Sequence, residues 1–293
     1  MYRWARAAGL LADPVVLARM HRTGPEVFVG HCYPQAGPEQ LALLCRFALW
    51  SWVIDDALEE TAGSLAQTAR AVADLTDAMD GRALDDQHRH DRLWPARQVY
   101  AELCAGRSPG WQEAFRAESA AWLGTLVTEA AAGRLRQPMA LGEYLAHRSL
   151  SSNIRTCMHL AEYAADIDLP QAVRNLPALA QARSLGAQWC GLYNDLRSVT
   201  RDIATGQQYN AVLIVQQQNG RGLQHAARQV AAIADRLLYT FQSALRELPA
   251  EPVYLRVAEA YRHVVRGNYD FHNSQPRYSE DVTLFTQRGR TIA

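Results

Sequence analysis

Between Leu43 and Ile54 the chain has only two polar residues, Arg46 and Ser51. A helix that is apolar on nearly every side cannot lie on a surface, because it needs neighbours all round. A second segment, SLGAQWCGLYN from Ser184 to Asn194, has the same character, and its glycines either permit close packing or leave space. Alternating β-branched runs between tight turns are almost absent, while helical segments recur between Gly and Pro punctuation. The expected helices span 14–21, 38–60, 63–79, 91–105, 110–133, 139–165, 175–204, 207–218, 221–247 and 252–273. The fold class is therefore all-α, a large helical bundle with at least two central helices. No Gly/Ser linker, internal repeat or low-complexity block divides the chain, so residues 1–293 are expected to form a single domain.

Both central helices turn polar at the same end. The first runs WSWVIDDALEE, from Trp50 into Asp55, Asp56, Glu59 and Glu60. Two readings stay open at this point: a helix that leaves the core with a wet last turn, or acids that line a cavity and hold metal ions. From Asp55, Glu59 is offset by about 40° and Glu60 by about 140°, so helical geometry favours Glu59 as the partner of Asp55. Asp56 lies about 100° from Asp55 on the same broad face. The second helix continues as YNDLRSVTRD. Asn194, Ser198 and Asp202 drift by only about 80° over two turns and form one stripe of oxygen donors, the kind that Mg²⁺ prefers. Asp85 and Asp86 sit in a His-rich polar stretch with no apolar lead-in, which reads as a loop.

Bulk properties narrow the classes. With 30 basic and 30 acidic residues the formal net charge is zero, so no basic field points to nucleic acid or an anionic membrane. Lysine is absent, which removes Schiff-base and P-loop mechanisms. The five cysteines, Cys32, Cys45, Cys104, Cys157 and Cys190, are widely spaced and suit buried free thiols in a reducing cytosol. The N-terminus lacks a signal-peptide pattern, and no run is long enough to span a bilayer; a soluble, cytoplasmic protein without membrane insertion is expected.

Four motifs, in order, resemble those of bacterial class I terpene synthases. DDALE resembles the aspartate-rich motif of that family. NDLRSVTRD resembles its second metal motif, an Asn–Ser–Glu triad with a basic residue before the acid, here Arg201. QPRY resembles the Arg–Tyr pair, at Arg277 and Tyr278. In AHRSLSS, Arg148 lies 46 positions before Asn194, where bacterial members carry a diphosphate-sensing arginine. Ser151 and Ser152 then fall at the linker and effector positions, in a helix that breaks. Smaller echoes are WARAAGLL, HCYPQAGPEQL and QYNAVLIV. The resemblance spans essentially the whole chain.

What the resemblance implies is a helical bundle around a central active-site cavity. There an isoprenyl diphosphate, farnesyl diphosphate (C15) in the common case, is ionised and cyclised to a terpene hydrocarbon or alcohol; C20 and C10 substrates stay open. It also implies three Mg²⁺ ions between Asp55, Asp56 and Glu59 on one side and Asn194, Ser198 and Asp202 on the other. Divalent cations neutralise a leaving diphosphate as Lewis acids. Arg148 and Arg277 are assigned to the diphosphate, since a guanidinium fork matches phosphate oxygens, and Tyr278 donates a hydrogen bond to it. Asp56 either binds metal or pairs with one of these arginines. Below the metals the cavity should be apolar, with Trp52 and, more weakly, Phe47 and Phe271 as aromatic faces that stabilise a cation. Cys190, Gly191, Gly186 and Ala187, one and two turns before Asn194, should leave room for the ligand.

Departures from the family pattern bear on the site. Asp202 replaces the usual Glu and reaches about 1.5 Å less, one C–C bond. Relatives often carry more chain before the WARAAGLL-like segment, a piece that helps cover the active site, so either this cover is lacking or the start codon is misassigned. A chain-elongating prenyltransferase would carry two aspartate-rich motifs and further basic residues; the form of NDLRSVTRD and the absence of lysine count against it. A non-catalytic homologue that binds prenyl diphosphate is the remaining reading. A homodimer is left open as the assembly.

Overall fold

The computed structural model describes residues 1–60, 64–82, 93–135, 139–207 and 209–275, without the side chains of 59, 60, 132–135 and 171. All regular structure among the described residues is helical: α1 (Tyr2–Ala7), α2 (Pro14–Thr23), α3 (Pro25–Cys32), α4 (Pro38–Glu60), α5 (Leu65–Met79), α6 (Leu93–Cys104), α7 (Pro109–Leu135), α8 (Leu141–Ser151), α9 (Ile154–Ala164), α10 (Gln171–Arg174), α11 (Pro177–Thr205), α12 (Ala211–Asn219), α13 (Leu223–Arg246) and α14 (Pro252–Ser274). The all-α expectation holds. The two long apolar segments become α4 and α11. Leu44, Leu49, Trp50 and Ile54 of α4 are fully buried, as are Leu179, Ala182, Ala187 and Leu192 of α11. Burying each large apolar side chain contributes about 1.5–3 kcal/mol, which is why these two helices occupy the interior. α4 packs against α3, α6, α7 and α9; α11 packs against α8, α9, α12, α13 and α14. No helix among the described residues is long and apolar enough to cross a membrane. The five cysteines are free thiols, four of them buried and Cys45 partly so.

Local chemistry sets the helix ends that matter to the cavity. Asp13 caps α2 by accepting from the Val15 N–H at 2.7 Å, with Pro14 in the first turn. Gly24, at φ 67°, ends α2 in the left-handed region, and Pro25 opens α3 at once. The expected helix over 139–165 is two helices. Asn153 adopts φ 57° between α8 and α9, where the resemblance to the family implied a break. Neither α1, α3 nor α10 is among the expected helices.

Candidate active site

One cavity of about 490 Å³ is lined from α2, α3, α4, α7, α8, α9, α11 and α14. It has two zones. One wall is aromatic: Trp52, Phe28 and Phe271 form a triangle with ring centroids 5.5–5.8 Å apart. Phe47 and Ala48 extend this wall, and Cys157 and Cys190 face it. Burial pushes the Cys157 thiol up to about 12 and the Cys190 thiol well above its usual value, so both remain neutral. The other zone is charged. Asp55, Asp56, Arg148, Asn194, Arg201 and Asp202 all line it.

On the α4 side, Asp55 and Asp56 both reach the cavity. Asp56 Oδ2 lies 3.2 Å from Arg19 Nη1, an arginine of α2. Arg19 was not among the arginines expected beside Asp56; of those two, Arg277 lies outside the described residues. The Glu59 and Glu60 side chains, Arg277, Tyr278, Asp85 and Asp86 lie outside the described residues.

On the α11 side, the sensor-like arginine and the first residue of the triad meet directly. Arg148 Nη2 donates to Asn194 Oδ1 at 3.0 Å and lies 3.0 Å from Asp195 Oδ1. Asp195 is 1% exposed. Its Oδ2 accepts from the Tyr144 hydroxyl at 2.8 Å and from the Ala211 N–H at 3.0 Å. Burial pushes the Asp195 carboxyl above the usual range, while Arg148, Ala211 and Tyr144 pull the other way. Burial likewise opposes the Arg148 charge. Asp195, with Tyr144, Glu129 and Asp202, more than offsets it, so the guanidinium is held protonated above its ordinary value. Arg148 comes this close because residue 191 has no side chain: a Cβ there would lie 2.5 Å from Arg148 Cγ.

The orientation of the Asn194 amide follows from donor chemistry. A guanidinium only donates, so Oδ1 must face Arg148. Nδ2 then faces His272 Nε2 at 2.9 Å, which must accept. The Nδ1–H of His272 donates to the Asn268 carbonyl at 2.7 Å, which fixes that tautomer.

Asp202, 6% exposed, is held from three sides. Its Oδ2 accepts from the Ser198 hydroxyl at 2.6 Å and from Asn210 Nδ2 at 2.9 Å, and its Oδ1 from Arg201 Nη2 at 3.1 Å. Ser198 is buried behind Asp202 and does not line the cavity. Asn210 also caps α12, accepting from the Val212 N–H at 2.8 Å, and donates to the Asp195 carbonyl at 2.8 Å. One buried amide thus ties the start of α12 to the polar end of α11.

At the helix break, Ser151 accepts from Arg148 Nη1 at 3.4 Å, and Ser152 Oγ donates to the Ala187 carbonyl at 3.4 Å. Ser151, Ser152 and Asn153 all line the cavity. Of the small residues on α11, Cys190 and Gly191 line the cavity but Gly186 and Ala187 do not. The space beside Gly186 is taken by the Met158 side chain, with Phe241 and Val265 close by.

Arg19, Phe28, Asp195, Asn268 and His272 escaped the sequence reading, and Asn210 entered it only within the QYNAVLIV echo. Asn210 carried a local signal, a polar cap before the apolar run AVLIV. The others depend on contacts between elements remote in sequence. Among the described residues no cluster of His, Cys, Asp and Glu gathers as a ready metal site. The donor set does fit a hard divalent cation: carboxylate oxygens from α4 and an amide and a carboxylate from α11 border the same cavity.

A family model described as "Terpene synthase family 2, C-terminal metal binding" matches residues 46–238. The (2Z,6E)-hedycaryol synthase of Kitasatospora setae is 30% identical over 96% of this chain and 86% of its own length. The pentalenene synthase of Streptomyces avermitilis is 25% identical over 96% of this chain and 87% of its own length. The solved structure of hedycaryol synthase in complex with nerolidol superimposes with a TM-score of 0.76 at 25% identity, covering 92% of this chain and 89% of the other.

Proposed function

The chain belongs to the terpene synthase family and is a class I terpene synthase, which converts an isoprenyl diphosphate to a terpene, and from that premise we propose that its substrate is farnesyl diphosphate, ionised with Mg²⁺. The observation that carries this reading is the division of one cavity into a charged mouth and an aromatic wall. Asp55, Asp56 and Glu59 of α4 and Asn194 and Asp202 of α11 would hold the cations, three in number by likeness to the family; Ser198, expected beside them, would reach a cation only by turning from its hydrogen bond to Asp202. When bound, these ions supply Lewis-acid neutralisation of the leaving diphosphate. Arg148, Arg277 and Tyr278 bind and orient the diphosphate, Arg148 with its charge secured by Asp195. Trp52, Phe28 and Phe271 exclude water and turn their faces to the cation, worth roughly 0.5–2 kcal/mol each. Ser152 stands at the break between α8 and α9, beside the arginine that would sense the diphosphate. The C15 assignment draws on the bound nerolidol, a C15 alcohol, in the solved hedycaryol synthase.

The purified protein, incubated with Mg²⁺ and C10, C15 or C20 prenyl diphosphate, is expected to release diphosphate and a C15 terpene from the C15 substrate, read by gas chromatography–mass spectrometry. Product from C20 or C10 alone would overturn the chain length. A longer diphosphate would indicate chain elongation, and binding without turnover a non-catalytic homologue. Either Asp55→Ala or Asn194→Ala should abolish turnover and leave helicity intact; full activity in either would refute the metal assignment.

A further inference from the structure

Asn268 lies on α14 one turn ahead of His272 and is among the residues that line the cavity. It is 5% exposed. Its backbone carbonyl is used by His272, but its side-chain Oδ1 is buried and has no hydrogen-bond partner among the described residues. A buried amide oxygen without a partner is costly, and in a native protein it calls for a specific explanation, an ordered water or a ligand being the usual ones. One turn further on, His272 contacts Asn194 at the charged mouth. Asn268 is about 6 Å back along the helix axis, on the face of α14 that Phe271 extends toward Phe28. A wall that only had to exclude water would carry an apolar residue here.

We propose that Asn268 holds one water molecule against the hydrocarbon zone, and that this water captures the final carbocation, so the product is a terpene alcohol. The inference rests on the reading above that an isoprenyl diphosphate is ionised in this cavity. The substrate C–O bond breaks, and diphosphate leaves with the electron pair. A lone pair of the held water forms the new C–O bond. The resulting oxonium loses one proton, which passes to the released diphosphate. Substrate plus water gives alcohol plus hydrogen diphosphate, with nothing oxidised or reduced. Asn268 Oδ1 accepts one water O–H and takes no proton. Holding that hydrogen turns a lone pair of the water toward the cavity. A water fixed at one wall meets the cation only where the folded chain brings it, unlike bulk water, which would quench at random.

The test is turnover in water enriched in oxygen-18, with products analysed by mass spectrometry. The wild-type protein is expected to yield an alcohol that carries the label. In Asn268→Leu the alcohol-to-hydrocarbon ratio should fall about tenfold, the loss of one hydrogen bond. Asn268→Val serves the same purpose if the leucine is not accommodated, and the wild-type labelling stands apart from either variant. An unlabelled hydrocarbon as the wild-type product overturns the proposal, as does an unchanged ratio in a folded variant. Hydrocarbon turnover would leave the terpene synthase reading intact and remove only this inference. No diphosphate release from any prenyl substrate would remove both.

Discussion

Arg148 owes its charge and its position to two neighbours on α11. Asp195 supplies the counter-charge, and Gly191 supplies the space. Replacing Asp195 by Asn keeps the shape but leaves one acceptor oxygen for three donors that now share two. We expect Asp195→Asn to lower stability by about 1–3 kcal/mol, measured by urea denaturation, and to weaken binding of inorganic diphosphate in the presence of Mg²⁺. Gly191→Ala separates the two effects. Alanine favours a helix over glycine by about 1 kcal/mol, which offsets part of the clash with Arg148. Its melting temperature should therefore change little, while KM for the prenyl diphosphate rises about tenfold as the arginine is displaced. Equal KM values in Gly191→Ala and wild type would rule out a role for Arg148 in substrate binding. At this scale the sequence was only partly legible. Asp55, Asp56, Arg148, Asn194 and Asp202 could be found from motif and spacing, and all line the cavity. Asp195 could not, although it adjoins Asn194, because its partners Tyr144, Arg148 and Ala211 come from two other helices. The orphan amide of Asn268 is likewise invisible without knowing which face of α14 meets the cavity.

Among the elements, α4 and α11 were legible because long apolar runs leave a helix no place but the interior. Their observed spans, Pro38–Glu60 and Pro177–Thr205, differ little from the expected ones. α3 was not legible, since eight residues between Gly24 and Tyr33 are too short to show a helical period. Yet α3 contributes Phe28 to the aromatic wall and packs closely on α14. The contact depends on Gly267, where a Cβ would lie 2.5 Å from the His31 carbonyl carbon and 2.6 Å from Cys32 Cα. These are backbone atoms, so neither can swing aside. Gly267→Ala is expected to cost about 1–3 kcal/mol by overpacking, seen as a melting temperature several degrees lower. An unchanged melting temperature would mean that α3 and α14 can part without loss. The turn at Asn153, inside the single helix expected over 139–165, was implied only by the likeness to a known family.

Across the whole molecule, a second polar cluster lies outside the cavity. Arg174 Nη1 donates to Glu162 at 2.7 Å and to His159 Nδ1 at 3.0 Å, and the Tyr261 hydroxyl donates to Glu162 at 2.6 Å. All four side chains are buried. Arg174 can only donate, so His159 is neutral. Burial, and then Arg183, Arg174 and Arg155, hold its pKa well below 6.5. In the unfolded chain this histidine takes up a proton near pH 6.5, and in the folded chain it does not. Its contribution to stability is therefore present above about pH 6.5 and is lost as pH falls toward the folded value, with a slope near 1.4 kcal/mol per pH unit. Denaturation midpoints between pH 7 and pH 5 should show this slope, and His159→Gln should flatten it; an equal slope in the variant would refute the assignment. This cluster fastens the segment around α10 to α9, α11 and α14, at a distance from the chemistry. The cavity, by contrast, draws its wall from eight helices. For laboratory evolution of new products this gives an uneven map. Codon 191 is a coordinate that must stay empty, because any side chain there evicts Arg148. Codons 48, 190 and 268 are open ones, where a library can reshape the hydrocarbon wall and leave the diphosphate grip untouched.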